Sequence, residues 1–199
     1  MFGLSITERG HRILREYIRK GDVAVDCTAG HGLDTLFLAE CVGEEGAVHA
    51  FEIQVKAINE LQEKFRENPR VTIHGDSYVN LSRYVSEARI IMYNLGYLPG
   101  GDCDLTTKTE ETLRSLEQAC QLLLPKGVIS VVAYPGHPEG AREAAAVEEY
   151  LKALPGSVFE VLTLRQTNRS AKTPVQHFVF RNRERKYFFS AVPCVKACR

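Results

Sequence analysis

The sequence predicts an α/β fold, a doubly wound, mostly parallel sheet with helices on both faces and one antiparallel strand. Three observations carry this prediction. Short apolar runs alternate with amphipathic helical runs along the chain, the pattern of βαβ units. The segment Asp26-Cys27-Thr28-Ala29-Gly30-His31-Gly32-Leu33-Asp34-Thr35 joins the first such strand to the next helix through a glycine turn. The last two strand-like runs are connected without a helix, so one of them is antiparallel to its neighbours.

The elements follow in order. Ser5 with Glu8 three residues later is a capping box, and opens a helix expected to reach residue 20. Residues 23–28 form the first strand, and a helix follows to residue 41. Residues 47–53 are the second strand, and 55–66 an amphipathic helix that Asn68-Pro69 ends. Residues 71–75 are the third strand, followed by Asp76-Ser77 and a short helix. Residues 89–93 are the fourth strand, 106–124 a long helix closed by Pro125-Lys126-Gly127, and 128–133 a fully apolar fifth strand. An Ala- and Glu-rich helix spans 139–154, and 159–164 with 177–180 form the closing pair of strands. A doubly wound sheet that ends in an antiparallel strand is the class I methyltransferase architecture. One domain is expected over residues 1–185, with 186–199 a tail outside the core fold.

With 199 residues the chain fits a single domain. Lys+Arg and Asp+Glu are both 25, so a strongly basic global field is excluded. The charge is nevertheless uneven: residues 160–199 carry a net +7 and residues 1–20 a net +3. Such a basic rim suits local nucleic-acid contact, and a pair of solvated faces is the plainer alternative. The six cysteines make no C-x-x-C pair and no zinc spacing. No signal peptide and no bilayer-length apolar run is legible, so a cytoplasmic protein with reduced thiols and no metal is expected.

The glycine turn defines a ligand corner. Gly30 and Gly32 let a ligand approach the main chain, and the next helix aims its free N–H groups there. A dinucleotide fingerprint would place a third glycine where Thr35 stands, and no P-loop is present. Asp26 and Asp34 disfavour a polyphosphate and favour a ligand with a positive centre, such as the sulfonium and ammonium of S-adenosylmethionine. Glu52 ends the second strand about 20 positions on, where a carboxylate accepts ribose hydroxyls. Thr28, Thr35, Gln54, Asp76 and Ser77 join this donor site, with Asp76 a candidate acceptor for an adenine amino group.

A second group surrounds the ends of the fourth and fifth strands. Asn94-Leu95-Gly96-Tyr97 resembles the Asn-Pro-Pro-Tyr loop of amino methyltransferases, in which acceptors orient an amine; a turn-capping Asn is the structural alternative. Tyr97 and Tyr134 are candidates for stacking a base, or for core packing. His137, in Tyr134-Pro135-Gly136-His137, is either a general base or part of a rigid turn. Arg165, Arg169 and Lys172 form a basic loop suited to phosphates. His74 is expected to be structural, and His11, His49 and His177 surface or core residues without a partner legible in sequence.

Four segments together resemble a known family. Asp26-x-Thr-Ala-Gly-x-Gly-x-Asp-Thr35, Phe51-Glu-Ile-Gln54, Asn94-Leu-Gly-Tyr-Leu-Pro-Gly-Gly101 and Tyr134-Pro-Gly-His137 are similar, in this order, to the "putative rRNA methylase" family of Gram-positive bacteria. The resemblance covers residues 5–182. His31 and Leu33 stand where the family usually has Asn and His, and Glu52 replaces Asp. The resemblance implies S-adenosylmethionine as cofactor and methylation of a 5-aminomethyl-2-thiouridine at the tRNA wobble position. It implies the tRNA anticodon stem-loop as partner, with a homodimer compatible. The alternatives are methylation of rRNA or another nucleobase amine, a small-molecule N-methyltransferase, and a protein that binds the donor without transfer.

Overall fold

In the computed structural model, residues 3–96 and 107–182 are described. Tyr97, and the tail from 183 onward with its expected independence from the core, lie outside these residues. Seven strands form one sheet in the order β3-β2-β1-β4-β5-β7-β6. They are β1 (Val23–Asp26), β2 (Ala47–Phe51), β3 (Val71–His74), β4 (Ala88–Asn94), β5 (Leu123–Ala133), β6 (Phe159–Leu164) and β7 (Val175–Arg181). The pairs among β1 to β5 are parallel, and β7 is antiparallel to both β5 and β6. This is the class I methyltransferase arrangement, with β7 the one reversed strand.

Successive strand residues point to opposite faces, so each strand feeds two cores. Val25, Ile91 and Ile129 face α4 (Thr109–Leu122), α5 (Pro138–Lys152) and a 3-10 helix (Tyr78–Arg83). Ala24, Ile90 and Val128 face α1 (Ile6–Leu14) and α2 (Leu33–Val42), where Leu14, Phe37 and Leu38 are buried. Each such apolar side chain contributes about 1.5–3 kcal/mol by burial. α3 (Val55–Lys64) packs Leu61, with the neighbouring Phe65, onto Ala29 and Ala50 near the glycine turn.

Two expected boundaries move. α1 stops at Leu14 rather than 20, because Glu16 and Tyr17 donate to carbonyls three residues back and the chain tightens into turns. β5 begins at Leu123 rather than 128. Pro125-Lys126-Gly127 forms an irregularity inside the strand, with Lys126 at φ +66°, and Leu123 pairs with Ala88 before the register shifts. The Arg89 guanidinium donates to the Pro125 carbonyl and stabilises this bend. The other strands and helices match expectation within a few residues.

Candidate active site

Three parallel strands end at one place. Asp26 closes β1 and is fully buried. Its two carboxylate oxygens accept from the Thr28 N–H at 3.1 Å and the Thr35 hydroxyl at 2.7 Å. Thr35 therefore occupies the third-glycine position to bond this carboxylate. Burial pushes the Asp26 carboxyl up to about 7, and the charges of Asp34 and Glu52 add to the rise.

The turn itself requires glycine. Gly30 has φ +51° and Gly32 φ +73°. A Cβ at Gly32 would sit 2.7 Å from Leu61 Cδ2 and 2.8 Å from Phe65 Cε2. Glu52 closes over the turn from the end of β2. One oxygen accepts from the Gly30 N–H at 3.0 Å, the other from the Ile53 and Gln54 N–H groups at 2.8 and 2.9 Å. Glu52 thus fixes the glycine turn by charge-assisted bonds and retains acceptor capacity for hydroxyls. Beside it Ile53 and Val55 are exposed, an apolar surface that sequence alone did not single out.

Asp34 is nearly buried, 6% exposed, in the first turn of α2. His11 reaches it from α1, Nε2 to Oδ1 at 2.6 Å, with its ring stacked on Phe37. No partner for His11 was legible in the sequence, and the fold supplies this one. It does the same for His49 and His177: His49 Nδ1 lies 2.9 Å from His74 Nε2, and His177 Nδ1 lies 3.0 Å from the Thr163 hydroxyl. Burial lowers the basicity of His49, His74 and His177.

At the end of β4, the Asn94 N–H donates to the Thr28 hydroxyl at 2.7 Å, joining the amine loop to the glycine turn. The Tyr134 hydroxyl lies near the side chains of Thr7 and Asn94, and burial raises its pKa. Asn94 is half-buried at the end of β4. Its carbonyl oxygen Oδ1 is buried without a hydrogen-bond partner among the described residues. A buried acceptor left without a partner is suited to an N–H-bearing ligand.

The remaining expected residues have defined places. Asp76 accepts from the Ser77 N–H, the Asn80 amide and the Tyr84 hydroxyl at 2.7, 2.9 and 2.8 Å, and these bonds hold its carboxyl below the usual range. Ser77 caps the 3-10 helix through the Val79 N–H. His137 is the N-cap of α5, its Nδ1 accepting from the Gly140 N–H at 3.1 Å. That bond gives the ring a structural task and fixes Nδ1 as the unprotonated nitrogen. Arg165, Arg169 and Lys172 are exposed, and Arg165 pairs with Glu148 at 3.3 Å. The Lys172 carbonyl lies beside Gly136, so this basic loop flanks the Tyr134–His137 turn.

Sequence reasoning missed Glu143. It is buried on α5 and accepts from the Thr107 and Thr112 hydroxyls at 2.7 and 2.6 Å. Thr107 Oγ1 in turn accepts from the Gly96 N–H at 2.8 Å, so a buried carboxylate anchors the chain just after Asn94. Its signal lay in spacing, since Gly140, Glu143, Val147 and Leu151 share one helical face. Among the described residues no group of three or more His, Cys, Asp or Glu is placed to hold a metal ion. None of the described helices is long and apolar enough to cross a membrane.

Comparison with known proteins agrees with this geometry. The family model described as "Putative rRNA methylase" matches residues 48–180. A protein of Arabidopsis thaliana named "tRNA (mnm(5)s(2)U34)-methyltransferase, chloroplastic" is 34% identical over 189 residues, 88% of this chain and 69% of the relative. A solved "putative rRNA-methylase" from Clostridium thermocellum is 34% identical with a TM-score of 0.87, covering 91% of this chain and 100% of its own. A "putative methyltransferase" from Streptococcus mutans, solved in complex with SAH, is 26% identical with a TM-score of 0.80, covering 90% of this chain and 99% of its own. The chain belongs to the family described as Putative rRNA methylase.

Proposed function

We propose that this chain transfers a methyl group to the primary amine of 5-aminomethyl-2-thiouridine at the wobble position of tRNA. It is an S-adenosylmethionine-dependent RNA methyltransferase, in line with its family and with the curated relative named for a tRNA. The single observation that carries the amine reading is Asn94 Oδ1, a buried acceptor without a partner among the described residues, on the residue whose backbone N–H bonds Thr28 of the glycine turn.

The residues present fit the donor. Asp34 and Glu52 bring negative charge to the glycine turn, Asp26 adds its own when a cation beside it favours ionisation, and Glu52 stands where ribose hydroxyls are accepted. Ile53 and Val55 offer apolar surface for the adenine. Asp76, expected to accept from the adenine amino group, already receives three donors and acts mainly by fixing the 3-10 helix. When bound, the donor supplies an electrophilic methyl group on a positively charged sulfur.

The chain's own residues then perform the orientation. Asn94 Oδ1 accepts an N–H of the substrate amine and turns its lone pair toward the methyl group. Near-attack distance is about 3–3.5 Å, so the bond from Asn94 to Thr28 matters because it ties the two half-sites together. Tyr134 lies near Asn94 and walls the pocket. Arg165, Arg169 and Lys172 meet phosphates of the anticodon stem-loop.

Nucleoside mass spectrometry of tRNA incubated with the enzyme and donor tests this reading. The expected result is conversion of the aminomethyl to the methylaminomethyl nucleoside at the wobble position. Methylation found on rRNA instead, with tRNA unchanged, would favour the target that the family description names.

A further inference from the structure

We propose that His11 is a positioning residue of the donor site: from α1 it holds the Asp34 carboxylate in place, so that the N-terminal helix completes the pocket formed by the glycine turn. The inference rests on the reading of that turn as the S-adenosylmethionine site.

Three carboxylates gather around one turn. Asp26 is fully buried, Asp34 nearly so, and Glu52 lies against Gly30. Asp26 feels the charges of both others. A nearly buried carboxylate beside another is costly to hold in place without a hydrogen-bonding partner. His11 supplies the partner, at 2.6 Å from Oδ1. Its ring is itself located, stacked on Phe37 with centroids 3.9 Å apart and planes 3° from parallel. Phe37 is buried and lies one turn after Asp34 on the same helix, so ring and carboxylate are held in one frame.

The helix that carries His11 is docked tightly. Gly10 packs so closely on the Gln176 side chain that a Cβ would overlap it, and Gln176 is fixed to Ser130 at 2.9 Å. Thr7, one turn earlier, lies near the Tyr134 hydroxyl. The capping box at Ser5 and Glu8 fixes the first turn. Two consecutive turns of α1 therefore touch the two halves of the site, Thr7 the amine side and His11 the donor side. Asp34 carries the charge, and His11 acts through it.

Calorimetric titration of the full chain with S-adenosylmethionine alone, without tRNA, tests the proposal. His11→Phe keeps a ring over Phe37 and removes the hydrogen bond; His11→Gln keeps a donor of similar reach and removes the ring. The expected result is about tenfold weaker binding in His11→Phe, the scale of one bond to a charged group, and near wild-type binding in His11→Gln. Asp34→Asn should weaken binding similarly, and the double variant His11→Phe with Asp34→Asn should be no weaker than Asp34→Asn alone. Should His11→Phe not fold, Asp34→Asn and His11→Gln still decide: wild-type affinity in Asp34→Asn overturns the proposal. Unchanged binding in a folded His11→Phe, or equal loss in His11→Phe and His11→Gln, also overturns it. A wild-type protein that binds the donor but leaves aminomethyl-thiouridine tRNA unmodified defeats the proposed function and leaves the role of His11 standing.

Discussion

The Asn94 N–H donates to the Thr28 hydroxyl across the adjacent ends of β4 and β1, at 2.7 Å. One hydrogen bond thus joins the residue proposed to orient the acceptor amine to the turn proposed to bind the donor. In-line transfer depends on that relative placement, and misplacement by about 1 Å can cost 10²-fold in rate. Asn94→Ala should therefore lower kcat by about 10²-fold while calorimetric donor affinity stays near wild type. Thr28→Val, which keeps the shape and removes the acceptor, should lower kcat less and destabilise the fold by about 1–3 kcal/mol through the orphaned Asn94 N–H. Single-turnover kinetics and thermal unfolding of both variants check this. A fully active Asn94→Ala enzyme would move the search for the amine acceptor elsewhere in the pocket.

Glu52 has two tasks, and its removal should show both. It accepts three backbone N–H bonds around the turn and stands ready for ribose hydroxyls. Bonds to a charged acceptor are worth about 1.5–3 kcal/mol. Glu52→Ala should weaken S-adenosylmethionine binding by that amount and lower the melting temperature. Glu52→Gln, which can keep the Gly30 bond, should lose less of the thermal stability. Unchanged donor affinity in a folded Glu52→Ala would take Glu52 out of the site.

The parts of this architecture that follow local rules were legible in the sequence. The glycine turn was readable because positive φ at Gly30 and Gly32 is a backbone requirement that few residues meet. The strand alternation was readable because strands buried on both faces are continuously apolar. The histidine partners were hidden because each lies on a different element: His11 and Asp34 are 23 residues apart, and His49 and His74 are 25 apart. Glu143 is one of several acids in an Ala- and Glu-rich helix, so its residue type did not single it out, though its neighbours on the buried face were visible. Pro125-Lys126-Gly127 read as a turn because local preference points to one, and pairing of Leu123 with Ala88 overrides it. The capping role of His137 is local, a bond from the Gly140 N–H three residues on, but an imidazole is an unusual N-cap and Pro138 is the hint that a helix starts there.

The loop holding Arg165, Arg169 and Lys172 should give RNA binding its salt dependence. It flanks the Tyr134–His137 turn, so phosphates bound there lie next to the amine pocket. Each phosphate contact contributes about 0.7–0.9 to the slope of log affinity against log salt. Arg169→Glu and Lys172→Glu should together lower that slope by about 1.4–1.8 if each meets one phosphate. Arg165 also pairs with Glu148 at an exposed site, a bond worth about 0–1 kcal/mol, so its reversal should barely change stability. Fluorescence anisotropy with an anticodon stem-loop across a salt series measures the slope. Identical slopes for wild type and the double variant would mean that the patch is only a solvated surface.

Asp26 should make the fold pH-dependent in an unusual direction. Burial, with Asp34 second, raises its carboxyl from 3.8 to about 7 in the folded protein. Between these values the folded state holds a proton on Asp26 that the unfolded state has released. Stability from this group is therefore fully present below pH 3.8, falls as pH rises through the window, and levels off above about 7. Most carboxylates that gain partners on folding behave oppositely. Asp26→Asn keeps an acceptor for the Thr28 N–H and gains a donor for the Thr35 hydroxyl, so the site stays bonded without the charge. The difference in unfolding free energy between Asp26→Asn and wild type should grow in favour of the variant from pH 4 to pH 7, reaching on the order of a few kcal/mol. Subtracting the two curves removes the titration of all other groups. Binding of a cationic donor should reverse the effect in wild type, because a positive charge beside Asp26 favours its ionised form. Titration with S-adenosylmethionine at pH 6.5 in buffers of different ionisation enthalpy should accordingly show net proton release, and this release should be smaller in Asp26→Asn. Equal proton release in the two proteins, or parallel stability curves, would mean that Asp26 is already ionised in the folded protein at neutral pH.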